Sequence, residues 1–184
     1  MSLRDEHASA PTVGAHLRAA TMPLTAGLVV PILLARQDAH WGAARLAVGA
    51  LLAASGWAIV VWTVVLFSRR GRGTLAPWNP TNALVIEGPF SHVRNPMISG
   101  VAAAAAGVAI AAGSWRAGAW AVGFVVVNHI YFIALEEPGL RRRFGEPYIA
   151  YARAVPRWLP RLRRYVGSEA ANGSRSNSGL TRGR

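Results

Sequence analysis

Four long apolar blocks constrain the fold of this chain more than any other feature. None of them contains an Asp, Glu or Arg, and they cover residues 19–35, 46–67, 97–113 and 117–135. An α-helix rises about 1.5 Å per residue, so about 20 apolar residues cross the roughly 30 Å hydrocarbon layer of a bilayer. The second block is the longest and the clearest candidate span. The pattern predicts an all-α integral membrane protein with about four transmembrane helices.

Composition narrows the class of protein further. Hydrophobic residues make up 52% of the 184 residues, the formal net charge is +12, and all 20 basic residues are Arg. Because the Arg residues cluster beside apolar blocks, the expected partner is anionic lipid headgroups and not nucleic acid. The chain has no Cys, which excludes disulfides, thiol catalysis and Cys-ligated zinc. The His residues show no H-x-x-x-H spacing and no Gly-rich phosphate loop occurs, so neither a metal site nor a soluble nucleotide fold is expected.

The distribution of Arg predicts the orientation in the membrane. Arg36 and Arg116 stand almost alone in one set of turns, whereas the other set is rich in Arg: Arg69, Arg70, Arg72, Arg94 and the stretch 141–164. Cytoplasmic loops carry an excess of Arg and Lys, so the second set is predicted to be cytoplasmic. With four spans, both termini then face the cytoplasm.

Short links and small residues predict how the helices pack. Only residues 114–116 join the third and fourth blocks, which requires an antiparallel helical hairpin. The third block also carries small residues four apart, which allow close helix approach: Gly100 and Ala104, then Gly107 and Ala111.

Along its length the chain divides into four parts. They are an N-terminal tail at 1–16, two N-terminal transmembrane helices at 17–67, a core at 68–166, and a tail at 167–184 that is expected to be disordered. Within the core, apolar residues recur at roughly helical spacing among Arg residues: Leu140, Phe144, Tyr148 and Tyr151. This spacing predicts one amphipathic helix on the cytoplasmic membrane surface, ended by Pro156 and Pro160.

Two acidic residues stand where the fourth block ends. Glu136 and Glu137 are followed at once by a cluster of Arg. Negative charge at a helix C-terminus opposes the helix dipole, so either a cationic ligand or the neighbouring Arg residues must compensate it. Asn128 and His129 are polar residues inside the same block, and they serve either an interhelical hydrogen bond or the lining of a site.

The loop at 68–96 is too long for a mere connector between spans. It ends on Arg94 and Asn95, directly before Pro96, which is expected to begin the third helix. Free N–H groups and the positive end of the helix dipole make this a plausible carboxylate-binding position. The alternative is that Arg94 only marks the cytoplasmic border of the span.

Two segments resemble the motifs of a known enzyme family. Residues 88–97, Gly-Pro-Phe-Ser-His-Val-Arg-Asn-Pro-Met, resemble G-P-[YF]-x-x-[VT]-R-[HN]-P-M. The second motif begins at Glu136-Glu137 and ends at Val155-Pro156-Arg157. Together they resemble the bacterial branch of the isoprenylcysteine carboxyl methyltransferase family, which has phospholipid N-methyltransferases as relatives.

The resemblance implies S-adenosylmethionine as methyl donor and a folded cofactor-binding loop before the third span. Arg94 and Glu136 are the implied catalytic residues. The implied cofactor-binding residues are Asn82, Ala83, Leu84, Val85, Phe90, Asn95, Pro96, Met97, Ile98, Glu137 and Tyr148. Ala154 stands where the eukaryotic enzymes carry an Arg before Val-Pro, so Arg153 or Arg157 would replace it in binding the substrate, with His129 as a further candidate.

These inferences predict a methyltransferase of the bacterial inner membrane that acts on a carboxylate, or another nucleophile, of a lipophilic small molecule or lipidated substrate. The first alternative is N-methylation of a phospholipid or another amine, for which a carboxylate base is wanted. Two alternatives belong to other classes: a membrane reductase that uses NADPH, and a non-enzymatic protein that binds lipids through its Arg-rich segment.

Overall fold

The computed structural model describes residues 21–70 and 84–166, with the backbone alone at 67–70. The predicted tails at 1–16 and 167–184 and the loop residues 71–83 lie outside the described residues. Every regular element in the described part is helical, as predicted. In chain order the helices are α1 (Thr21–Ala35), α2 (Ala43–Arg70), α3 (Pro96–Ala112), α4 (Trp115–Tyr131), α5 (Glu137–Phe144) and α6 (Glu146–Ala154), and a 3-10 turn covers Gly88–Ser91.

Within the described ranges, two helices are long and apolar enough to cross a membrane: Ala43–Leu66, and the continuous helix Trp115–Phe144. Large apolar side chains lie on their outer surface, among them Leu51 at 71% and Val127 at 66% exposure. Such surfaces are unfavourable in water and suit lipid. The other two predicted spans, α1 and α3, are shorter apolar helices, so the four-span arrangement stays a prediction.

Helices α2 and α3 pack backbone against backbone. A Cβ on Gly56 would lie 2.5 Å from the carbonyl oxygen of Gly100, and one on Gly107 would lie 2.5 Å from the amide nitrogen of Ala53. The order of these contacts makes the two helices antiparallel. The predicted small-residue surface of the third block is therefore a real packing surface, and glycines of the second block provide its partner.

A polar cluster ties together the two turns at one end of the bundle. Asp38, between α1 and α2, accepts hydrogen bonds from the Ser114 hydroxyl and the Arg116 amide. The Ser114 hydroxyl also caps α4 by accepting from the amide of Ala117. Gly113 closes α3 with a φ of 61°, a left-handed conformation that favours glycine. The antiparallel packing places this end opposite to the start of α3.

Two prolines each follow a single turn of π-helix. The turn Thr25–Val29 precedes Pro31, and the turn Phe132–Glu136 precedes Pro138. Proline lacks an N–H and its ring crowds the preceding turn, so the helix widens there. In α1 the Val30 amide binds the Thr25 carbonyl, and the neighbouring Ala26 carbonyl accepts instead from the indole of Trp120, at 2.8 Å.

The predicted amphipathic surface helix is wrong in two respects. The helix that contains the fourth apolar block does not end near 135, because it continues through the π turn to Phe144. It then breaks at Gly145, whose φ of 56° and ψ of −136° are not helical, and Pro147 supports a fresh start in the first turn of α6. The apolar residues also face inward: Tyr148 and Tyr151 are buried and pack with Leu140 and Phe144.

The segment after α6 returns along the residues that precede α3. The Arg94 amide donates to the Pro156 carbonyl, at 2.9 Å. The Arg161 amide donates to the His92 carbonyl at 3.0 Å, and the Tyr165 amide to the Ser91 carbonyl at 2.9 Å. These bonds bring both motifs of the sequence to one end of the bundle.

Candidate active site

A cleft opens between the segment before α3, the π turn after α4, and the helices α5 and α6. It encloses about 100 Å³. Its walls combine charged, amide and aromatic side chains, and the lining residues are Leu84, Val85, Phe90, Arg94, Asn95, Phe132, Glu136, Glu137, Leu140, Phe144, Tyr148 and Tyr151.

Glu137 is held by two arginines at the edge of this cleft. Its carboxylate accepts from Arg94 Nη1 at 2.9 Å, from Arg157 Nε at 2.6 Å and from Arg157 Nη2 at 2.9 Å. The hydrogen bond to Glu137 raises the pKa of the Arg157 guanidinium. Since the Glu137 side chain is only 8% exposed, these three hydrogen bonds from two arginines fix the carboxylate and supply the charge compensation that the sequence required.

Glu136 has different surroundings from its neighbour. It lines the cleft, and no hydrogen bond or ion pair to it is found within 21–70 and 84–166. The π turn sets this arrangement, because the widened turn ends at Glu136 and the α-helical pattern resumes at Glu137. Two adjacent acids therefore serve different purposes: one is locked into an ion pair and the other is presented to the cleft.

The start of α3 forms the facing wall. Asn95 occupies the N-cap position, but its side chain makes no capping hydrogen bond, and it lines the cleft instead. Arg94 adds a buried donor, since its Nε has no hydrogen-bond partner in the described part of the chain. Both groups can bind an anionic or polar ligand.

Tyrosines close the inner end of the cleft. Burial raises the pKa of both the Tyr148 and the Tyr151 phenols, so both stay neutral. The Tyr151 hydroxyl donates to the Phe90 carbonyl at 2.7 Å, which ties α6 to the 3-10 turn.

The structure gathers most of the residues that the sequence analysis proposed, and leaves some away from the cleft. Arg157 touches the cleft only through Glu137, and the exposed Arg153 does not line it. The predicted residues in the lining are Leu84, Val85, Phe90, Arg94, Asn95, Glu136, Glu137 and Tyr148, whereas Pro96, Met97 and Ile98 are absent from it. Asn82 and Ala83 lie outside the described residues. The predicted roles of all these residues stay predictions.

His129 serves packing in this structure. Its Nδ1 accepts from the indole of Trp158 at 2.9 Å, which requires a ring without a proton on Nδ1. Phe132 packs edge-on against the same indole, and the Ser99 hydroxyl lies 3.4 Å from the Trp158 carbonyl. Trp158 thereby fastens the segment after α6 to α3 and α4, and His129 does not line the cleft.

Sequence reasoning missed several apolar and aromatic lining residues. Phe132, Leu140, Phe144 and Tyr151 all line the cleft. The sequence predicts the last three on an amphipathic helix at the membrane surface. Their helical spacing is present, but the break at Gly145 turns two short helices inward around the cleft.

A helical membrane-type bundle with a mixed acidic, basic and aromatic cleft at one end is thus the class that fold and site define. The phospholipid methyltransferase family matches residues 44–147, which is more than half of the chain. The chain belongs to that family. The chain itself matches no curated protein and no solved structure.

Proposed function

We propose that this protein is a membrane methyltransferase that takes a methyl group from S-adenosylmethionine and transfers it to a nucleophile of a lipophilic acceptor. Members of its family use this donor generally. The observation that carries the proposal is the cleft itself, which presents Glu136, Asn95 and Arg94 among aromatic side chains. The predicted four spans, with both termini in the cytoplasm of a bacterial inner membrane, belong to the same proposal.

The residues present fit the charge pattern of this donor. A sulfonium is cationic, and Glu136 offers a carboxylate that no ion pair in the described residues engages. The donor also carries a carboxylate, for which the Asn95 amide and the buried Arg94 Nε are candidate donors. The described walls enclose about 100 Å³, below the roughly 300–1,000 Å³ of typical small-molecule sites, so they hold only part of a ligand of this size. The remaining predicted positions, Asn82 and Ala83, precede the described wall.

The donor would supply an electrophilic methyl group, whose transfer needs no metal. The protein then has to align the acceptor and exclude water, and alignment alone can be worth several kcal/mol, up to about 10 in favourable cases. A carboxylate acceptor and a cationic donor lose their charges together, and a dry site favours that change. The aromatic and aliphatic walls, including Phe132 and Leu140, favour water exclusion.

The acceptor is either a carboxylate or an amine, and one observation favours each. For a carboxylate, the buried Arg94 Nε is a donor without a partner in the described residues. For an amine, Glu136 can act as the base that removes a proton. The guanidinium groups of Arg94 and Arg157 are already paired with Glu137. The phospholipid methyltransferase match fits the amine alternative, which we therefore keep as the second candidate.

Ligand-dependent stability of the purified protein tests the proposal. A ligand that binds only the folded state stabilises it by about 2.7 kcal/mol when present at 100 times its Kd. We expect S-adenosylhomocysteine to raise the melting temperature in detergent and NADPH to leave it unchanged. Stabilisation by NADPH alone would support the reductase alternative, and no effect of either would support a lipid-binding protein.

The acceptor class is tested separately by incubating the protein with S-adenosylmethionine and a panel of lipids, then searching for a mass gain of one methylene. Products that mild alkali hydrolyses are esters and identify a carboxylate acceptor. Products that survive alkali and carry the added mass on the headgroup nitrogen identify an amine acceptor.

A further inference from the structure

Two leucines in the segment after α6 are far more exposed than a folded chain normally leaves them. Leu159 is 80% exposed and Leu162 is 99% exposed. They stand out among the large apolar side chains of the described residues, and they lie on non-helical backbone. Because they do not belong to a helix, they are not residues at the edge of a helix surface. The environment that covers them therefore needs to be identified.

The backbone of this segment is anchored, which leaves its side chains no freedom to turn inward together. The Arg161 amide binds the His92 carbonyl, and the His92 Nδ1–H donates to the Arg161 carbonyl at 2.8 Å. The Tyr165 amide binds the Ser91 carbonyl, and Tyr165 packs against Tyr151. The inward positions are thus taken, and Leu162 points away from the protein.

Charge accompanies the exposed leucines. Arg163 and Arg164 follow Leu162 directly and are exposed as well. No acidic side chain is paired with them within the described residues. Leucine beside unpaired arginine is the side-chain combination that binds a leaflet with anionic lipids, because the apolar groups enter the acyl boundary while the guanidinium groups remain among the phosphates.

The position in the fold places this segment beside the lipid-facing part of the molecule. Trp158, directly before Leu159, is bonded to His129 of α4. Ile130, the residue after His129, and Ile133, in the π turn that follows α4, are 60% and 47% exposed. Trp158 thus places the segment near exposed apolar residues of this helix, whereas the apolar residues of α5 and α6 are occupied in the protein interior.

We propose that residues 159–164 form a lipid-docking segment, which inserts Leu159 and Leu162 into the headgroup boundary of an anionic leaflet and places Arg163 and Arg164 on its phosphates. This proposal requires that the bundle is embedded in a membrane, but it does not require that the protein transfers methyl groups. This segment takes the place of the surface helix predicted from the sequence, because the apolar residues of α5 and α6 pack together at the cleft.

Site-directed spin labelling tests this segment directly, because the chain has no Cys. A nitroxide is attached to Leu162→Cys, with Val126→Cys on the exposed surface of α4 as lipid control and Glu146→Cys, an exposed charged position, as water control. The full chain is placed in lipid discs of phosphatidylcholine with or without phosphatidylglycerol. We expect the Leu162→Cys label to be more accessible to oxygen than to a water-soluble nickel reagent, like the α4 control and unlike the Glu146→Cys control.

The charge component is tested with the double variant Arg163→Gln/Arg164→Gln. Each Arg near an anionic surface contributes roughly a fivefold preference for docking, so we expect the double variant to lose most of the dependence on phosphatidylglycerol. Equal melting temperatures of all variants in detergent confirm that they are folded.

Three outcomes would overturn the proposal. A Leu162→Cys label as open to nickel as the Glu146→Cys label would mean that the segment faces water. A label shielded from both reagents would mean that protein, such as a second copy of the chain, covers it. Lipid contact that is indifferent to phosphatidylglycerol and to the double variant would remove the assignment to an anionic leaflet.

Discussion

Glu136 and Glu137 are neighbours with opposite surroundings. Glu137 is buried between Arg94 and Arg157, while Glu136 lines the cleft without an ion pair in the described residues. Removing one partner of a buried ion pair leaves the other charges uncompensated, which costs more than the pair itself contributes. The two positions therefore separate a structural effect from a functional one.

We expect Glu137→Gln to destabilise the protein, because a buried carboxylate and its two partly buried guanidinium partners lose their ion pairs. Removal of one member of a buried pair costs about 3–5 kcal/mol, which thermal or denaturant unfolding in detergent would measure. The matched control is Glu136→Gln, which should unfold like the unmodified chain but lose stabilisation by S-adenosylmethionine, whose sulfonium Glu136 faces in the proposed complex. Equal unfolding of the two variants would contradict the two-arginine contact as a stabilising feature.

A second residue-scale prediction concerns Asp38. The hydrogen bond from Ser114 lowers the pKa of this carboxyl below its ordinary value of 3.8, and the Arg116 amide and guanidinium act in the same direction. A folded-state pKa below the unfolded one gives stability that is present above the unfolded pKa and lost as pH falls through the folded pKa. We expect the melting temperature of the unmodified chain to fall more steeply below pH 3.8 than that of Asp38→Asn. Parallel curves would show that the Ser114 contact does not act on stability.

At the scale of elements, the π turn before Pro138 decides which acid reaches the cleft. The turn holds one residue more than an α-helical turn, and proline prevents its closure. Removing that extra residue would rotate one side of the helix against the other by about 100°.

Pro138→Ala tests this geometry. With an N–H restored, we expect the turn to close, Glu136 to leave the cleft, and binding of S-adenosylmethionine to fall at least tenfold while folding is kept. Pro31→Ala is the control, because Pro31 follows the same kind of π turn in α1 but lies away from the cleft. This variant should retain binding. Titration of both variants by calorimetry would show whether binding depends on the turn.

The contact of α2 with α3 makes a prediction about packing. A methyl group on Gly56 or Gly107 would lie 2.5 Å from the opposite backbone, so Ala at either position forces the helices apart. We expect a lowered melting temperature, by contrast with Gly123→Ala in α4, where nothing lies within 4 Å and the gain in helix propensity is about 0.5–1 kcal/mol. A neutral Gly56→Ala would show that the helices are further apart than described.

These elements also mark what a sequence can predict. Apolar length and small-residue spacing were enough for the helices and for the packing of α3, because both are properties of single segments. The sequence does not predict the π turn or the break at Gly145, because Pro138 and Gly145 permit such distortions without specifying them. It does not predict the Arg157–Glu137 contact either, because that contact depends on how two separate segments pack. Arg94 was expected to hold a ligand carboxylate, and the structure engages its Nη1 with a carboxylate of the chain itself.

For the molecule as a whole, the two ends of the bundle differ in structure. One end carries the Asp38 cluster, in which hydrogen bonds join the turns. The other carries the cleft and the lipid-docking segment. Helices α2 and α3 run between the two ends in direct backbone contact.

A shortened chain tests how far the cleft depends on its last described segment. A chain ended after Val155 lacks Arg157 and the bonds to Ser91 and His92, so Glu137 would keep one arginine only. We expect it to melt at a clearly lower temperature than the full chain and to lose ligand binding, as measured in the same detergent assay. A chain ended after Val166 keeps every contact described for 84–166 and should behave like the full chain.

The pairing of Tyr165 with Ser91 has a consequence for biogenesis. Translation releases residues in order, so α1 to α4 emerge from the ribosome before Arg157 and Tyr165 do. Until Arg157 has emerged, the Glu137 carboxylate can pair only with Arg94. The cleft is therefore completed late in synthesis, when residues 156–165 fold back along the segment before α3.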